Sequence, residues 1–322
     1  MSVLEGWEGW EGWEGWEGWE GWEGWHAGPR PAAVPHLMAS TEHLRELTVF
    51  GMAPTAWPGP ALRPDATLKP LSAFARRYVV VADLMTGVAF SPLKGGGVRI
   101  TLSGIPVDMV APDSRAFDPE PVVAAASLRA ERSGEIVSQM VFNPMLWSTV
   151  LPLSPRRTPY TLELMTTVAM FGALLVQRVK LVFNQPRPHE LSPRVQPMIA
   201  TPGFSAYPSG HATESRLVSD LLLALLDGCI PQDWKDVVPK TLHALSDRVA
   251  ENRVVAGVHY PVDSDGGKDM AKQVIAALAK RVKDASDSGR QGTTSSLPDT
   301  FAELWQLARA EWSTIAPPAP AA

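Results

Sequence analysis

Three short stretches of this 322-residue chain hold residue types that together can grip a tetrahedral oxyanion and move a proton on it. The first joins Lys180 to Arg187, directly ahead of Pro188. Seven residues are two helical turns, so both cations are expected on one face near the end of a helix that Pro188 stops. An arginine fork matches the edge of a tetrahedral anion, and a lysine adds a compact charge beside it. Taken alone, that spacing is also the spacing of an ordinary solvated basic helix end.

The second stretch, Phe204 to Thr213, is more specific. Pro208 and Gly210 shape a turn immediately before an apolar helical run, so the Ser209 hydroxyl and the N–H of Gly210 stand at a helix N-terminus, where anions collect. His211 follows, placed to exchange a proton with an oxygen held there. The third stretch carries Arg253, His259 and Asp263. Six residues turn through about 600° of helix, so Arg253 and His259 do not share a face unless the helix breaks. Gly257 is expected to break it, and a helix opened by Pro261 would bring the Asp263 carboxylate back to the His259 ring to fix its tautomer.

The elements that must position these groups are mostly helical. Apolar periodicity marks 122–142, 158–183, 212–227, 239–256, 262–282 and 297–312 as helices, which favours an all-α bundle. Helical patterns over 37–47 and 72–84, and an alternating 97–110 that reads as a small β-hairpin, precede them. Between Arg187 and Pro208 four prolines, at 188, 193, 197 and 202, predict a long loop. Residues 5–25 are seven consecutive Glu-Gly-Trp copies, whose period of three suits neither helix nor strand. The expected organisation is therefore a repeat and linker over 1–35, expected to be disordered, a mostly helical part over 36–150, and a bundle carrying the three stretches over 151–316.

Composition limits the partners. Seven of the 34 acidic residues lie in the repeat, and the rest of the chain is near neutral, so no broad field recommends nucleic acid. The lone Cys229 rules out an internal disulfide and any cysteine metal cluster, and reads as a small buried hydrophobe. Apolar runs of about thirteen residues fall short of a bilayer span. With no signal-peptide pattern recognised, the expectation is a cytoplasmic chain with no transmembrane segment; a homo-oligomer is compatible with it. Lys94 to Gly97 lacks the phosphate-loop framework and reads as a turn. His36, His43, His189 and His243 lack the companions of a zinc site, and Trp305 and Trp312, seven apart, read as packing residues.

In this order the three stretches resemble the superfamily that unites vanadium-dependent haloperoxidases, type 2 phosphatidic acid phosphatases and bacterial acid phosphatases. The matching blocks are Lys180 to Pro188, Pro208 to His211 and Arg253 to Asp263, which together span about a quarter of the chain, and residues 1–150 lie outside them. The resemblance implies an α-helical bundle in which Lys180, Arg187, Ser209, Gly210 and Arg253 bind the oxyanion oxygens. It places His259 at the apical position, as nucleophile or as the vanadium ligand, with His211 as acid and base opposite. Phe204 would sit at the aromatic position near the halide site. Asn252 stands where a serine often precedes the third-block arginine. The leading expectation from the resemblance is a vanadate-dependent enzyme that uses hydrogen peroxide to oxidise halide. The alternative is a phosphatase, without vanadate, that hydrolyses phosphomonoesters through a phosphohistidine. A non-catalytic anion-binding protein is the third reading.

Overall fold

A computed structural model describes residues 67–290 and 299–313. The expectations for 1–35 and for a helix over 37–47, together with His36 and His43, lie outside these residues. The chain opens with α1 (Ala73–Thr86), β1 (Val88–Pro92), β2 (Gly97–Leu102) and β3 (Ile105–Val110). It continues through α2 (Glu120–Ala125), α3 (Arg129–Ser138), α4 (Pro159–Phe183), α5 (Pro188–Leu191), α6 (Gly210–Leu226), α7 (Val237–Val255), α8 (Pro261–Arg290) and α9 (Thr300–Trp312). This is a mostly helical bundle with one small antiparallel sheet in the order β1-β2-β3.

The sheet extends the expected hairpin by a strand. Ser103 and Gly104, both at positive φ, make the two-residue turn between β2 and β3, a backbone path that matches strand twist. Opposite this turn, β1 pairs along β2 with Phe90 facing Ile100. Val98, Ile100 and Leu102 alternate inward with Val107 and Met109 and seal one side of the helical core.

At the centre lies α6, packed on α8, α4 and α7. Its Leu217, Val218, Leu221, Leu222 and Leu225 are fully buried, and Trp147 reaches in from a 3-10 turn to donate its indole N–H to the Ser219 hydroxyl at 2.9 Å. Trp305 and Trp312 are buried as expected, the latter donating to Thr161 Oγ1 at 3.0 Å. Cys229 is half-buried just beyond α6.

Helix α4 corrects two expectations. Its 25 residues run well past the apolar run counted in the sequence, because Thr161, Thr166 and Thr167 are buried inside the same helix. The stretch Pro159–Leu191 is consequently long and apolar enough to cross a membrane, although much of it is buried against the rest of the protein. The second correction concerns Arg187, which is not on the helix. Asn184, at φ 45°, ends α4 in a left-handed turn, and Pro186 and Pro188 hold the next residues extended, Arg187 at φ −80°, ψ 161°.

Candidate functional site

Although the helix breaks between them, Lys180 and Arg187 still converge. Lys180 donates from Nζ to the carbonyls of Ser205 at 2.5 Å and Ala206 at 2.8 Å. Arg187 donates from Nε to the Phe204 carbonyl at 3.0 Å and from Nη1 to the Val258 carbonyl at 2.8 Å. Arg253, in the last turn of α7, donates from Nη2 to the Ile136 carbonyl at 2.8 Å. All three are buried, and the hydrogen bonds that anchor them go to carbonyls rather than to carboxylates. Burial is the first cause that pushes the Arg187 and Arg253 guanidinium groups down to about 10 and the Lys180 ammonium well below its usual range. Arg187 Nη2 and both Arg253 Nε and Nη1 are buried without a hydrogen-bond partner. Cations so placed are costly until an anion meets them.

The anion cradle is the start of α6. The Tyr207–Pro208 bond is cis, and Ser209 caps the helix, its Oγ accepting from the Ala212 N–H at 3.4 Å and its carbonyl from the Thr213 N–H at 3.0 Å. The first N–H groups, those of Gly210 and His211, are therefore left without intrahelical acceptors at the positive end of the helix. Phe204 is exposed beside it, its ring 5.2 Å from Lys180 Nζ and 5.3 Å from Arg187 Cζ, so it shields two cations at the surface.

The third stretch folds as its residues imply. Gly257 adopts φ 83° and ends α7, and Pro261 opens α8. Asp263 Oδ2 then accepts from the Tyr260 N–H and from His259 Nδ1, both at 2.9 Å, while the Asp263 carbonyl accepts from the Ser209 N–H at 2.9 Å. One residue thus ties the second stretch to the third. The bond fixes His259 with its proton on Nδ1 and a lone pair on Nε2. Burial, then Arg187, Lys180, His211 and Arg253, hold His259 well below the usual histidine range, which locates all five groups in one neighbourhood. His211 donates from Nε2 to the Met140 carbonyl at 3.2 Å, leaving Nδ1 as its second ring nitrogen. Burial and then Arg253 push it down to about 3. Burial also raises Asp263.

Sequence reasoning passed over the support from residues 129–140. Glu135 binds Arg248 and, with Gln139, the Asn252 amide at 2.9 Å each; the adjacent Ile136 and Met140 carbonyls hold Arg253 and His211. Asn252 in place of serine is therefore a strut between α7 and the end of α3. Backbone carbonyls leave no trace in residue types, so nothing in the sequence marks these contacts. Gly266 and Gly267 were readable in principle as a close approach. A Cβ on Gly267 would stand 2.6 Å from the Ser209 carbonyl, and one on Gly266 2.4 Å from the Tyr207 ring. Outside the cluster, Lys94 to Gly97 is a turn, His189 is half-buried, and His243 binds Asp220 at 2.8 Å. No group of histidine, cysteine and acidic residues able to hold a metal ion occurs among the described residues.

Residues 161–284, which contain every one of the predicted site residues, match the family model described as PAP2 superfamily. Among solved structures, the transmembrane PAP2-type phosphatidylglycerolphosphate phosphatase from Bacillus subtilis is similar at 17% identity and a TM-score of 0.40, over 67% of this chain and 96% of that one. No curated protein matches the chain.

Proposed function

From the membership of residues 161–284 in the PAP2 superfamily, we propose that the protein is a phosphatase that cleaves phosphomonoesters through His259. The observation that carries this reading is the set of three buried, partnerless guanidinium nitrogens, Arg187 Nη2 and Arg253 Nε and Nη1, beside a histidine whose tautomer is fixed. In the proposed reaction the phosphoryl oxygens take those nitrogens, Lys180 Nζ, the Ser209 hydroxyl and the Gly210 amide as donors. His259 Nε2 attacks phosphorus, the bond to the ester oxygen breaks, and His211 delivers a proton to the departing alkoxide. Water then attacks the phosphohistidine, losing its proton to His211, and releases inorganic phosphate. Asp263 stabilises the His259 ring as it gains positive character. The cations and amides act on charge that spreads over the phosphoryl oxygens in the transition state, the stage at which they lower the barrier most. The charge of a dianionic substrate offsets Arg253 and raises the affinity of His211 for the proton that it must donate.

Purified protein tested on an aryl phosphate decides the reading. Release of phosphate, its abolition in His259→Ala and retention of inorganic phosphate binding by that variant are the expected results. A variant that hydrolyses at the parental rate overturns the role of His259.

One observation favours a second reading. The Phe204 ring lies against Lys180 and Arg187, at the position that the resemblance to haloperoxidases assigns to an aromatic near the halide. The same donors fit vanadate, which would be held by Lys180, Arg187, Ser209, Gly210 and Arg253 with His259 as the vanadium ligand, and which supplies peroxide activation when bound. Bromination of a dye with vanadate, hydrogen peroxide and bromide, in the absence of phosphomonoesterase activity, would select it.

A further inference from the structure

One ionisable group beside the cradle has no part in the chemistry above. Glu214 lies one helical turn beyond Gly210 on α6, on the face turned toward α4. Its Oε1 is 3.7 Å from the point where a Gly210 Cβ would stand, and Val176 of α4 closes the same spot at 4.0 Å. The charged group facing it is Lys180, one turn beyond Val176 on α4; His211 and Arg216 are its ionisable neighbours along its own helix. Arg187 and Asp263 also act on Lys180, and Arg187, Lys180, His211 and Arg253 act on His259. A carboxyl in this position has two states with opposite effects. Neutral, it leaves Lys180 a full positive charge for the oxyanion. Ionised, it cancels that charge and sets a negative one beside a doubly negative guest.

We propose that Glu214 is a positioning residue that gates the oxyanion site by its protonation, admitting a dianion when its carboxyl is neutral and opposing one when it is ionised. The inference rests on the oxyanion-site reading above and adds a proton to it: binding a dianion holds the Glu214 proton in place. Burial raises the Glu214 carboxyl from 4.5 to about 8, with Lys180 pulling the other way, so the change falls just above neutrality.

The test is binding of sulfate, whose own charge is constant across this range, followed by calorimetry from about pH 6 to about pH 9.5 on the full chain and on Glu214→Gln. In the parent, affinity should hold to the Glu214 transition and then fall about tenfold per pH unit, the slope of one linked proton. In Glu214→Gln, affinity below the transition should stay within about threefold of the parent and the fall should disappear. Parallel falls in both proteins would assign the titration to Lys180 and overturn the proposal while leaving the oxyanion site intact. Sulfate binding in neither protein would overturn the site itself and this proposal with it. Glu214→Leu, which also lacks the charge and fills similar space, repeats the measurement if the glutamine variant does not fold. A steep alkaline fall in the leucine variant counts against the proposal as well.

Discussion

At the scale of single residues, the charge on Lys180, Arg187 and Arg253 is preserved by the choice of anchor. Carboxylate partners would fix the same side chains and consume the charge that a ligand needs, whereas the carbonyls of Phe204, Ser205, Ala206, Val258 and Ile136 fix them without neutralising them. The histidines bear the cost of this arrangement. His211 is held at about 3 against 6.5 in the unfolded chain, so between those values the unfolded state binds the proton that the folded state refuses. Its contribution to stability is complete above pH 6.5 and is lost as pH falls toward 3, at about 1.4 kcal/mol per pH unit. Urea unfolding at about pH 6.5 and about pH 4.5 should therefore show a lower midpoint at the acid value, and His211→Asn should shrink the difference. An unchanged difference in that variant would remove His211 from the account.

At the scale of elements, the helices were readable and the manner of their meeting was not. The run to Leu226 and the restart at Pro261 follow from apolar period, Ser209 and Gly257, all visible residue by residue. The site residues were equally visible, because lysine, arginine, histidine and serine announce their chemistry. Spacing alone puts Arg187 on a helix because it cannot register the left-handed Asn184, and Ile136 and Met140 are silent because a carbonyl belongs to every residue. The close approach of α8 to the start of α6 depends on Gly266 and Gly267, and the second faces backbone, which cannot move aside as a side chain can. Gly267→Ala should cost roughly 1–3 kcal/mol and displace Ser209 from the cradle. A thermal melt and phosphate binding measured on the same variant check both effects; an unchanged melting temperature would mean that the helices are not in contact as described.

At the scale of the whole molecule, the expected division near residue 150 is crossed by contacts that serve the site. Arg253 and His211 rest on carbonyls at 136 and 140, and Glu135 holds Arg248 and Asn252. A fragment covering 151–316 should consequently bind phosphate at least about tenfold more weakly than the full chain, since the Arg253 fork and the His211 ring lose their supports. Equal affinity in the fragment would show that these supports are dispensable.

The tether from Arg253 to Ile136 has a consequence for how the chain resists attack by proteases. A guest that grips the free edge of that guanidinium also holds, through Arg253 and Ile136, the segment before Pro144. At a hundredfold excess over its dissociation constant such a guest adds about 2.7 kcal/mol against opening. Cleavage between 129 and 158 should slow accordingly when phosphate is present, making the front half of the protein a reporter of what the back half holds.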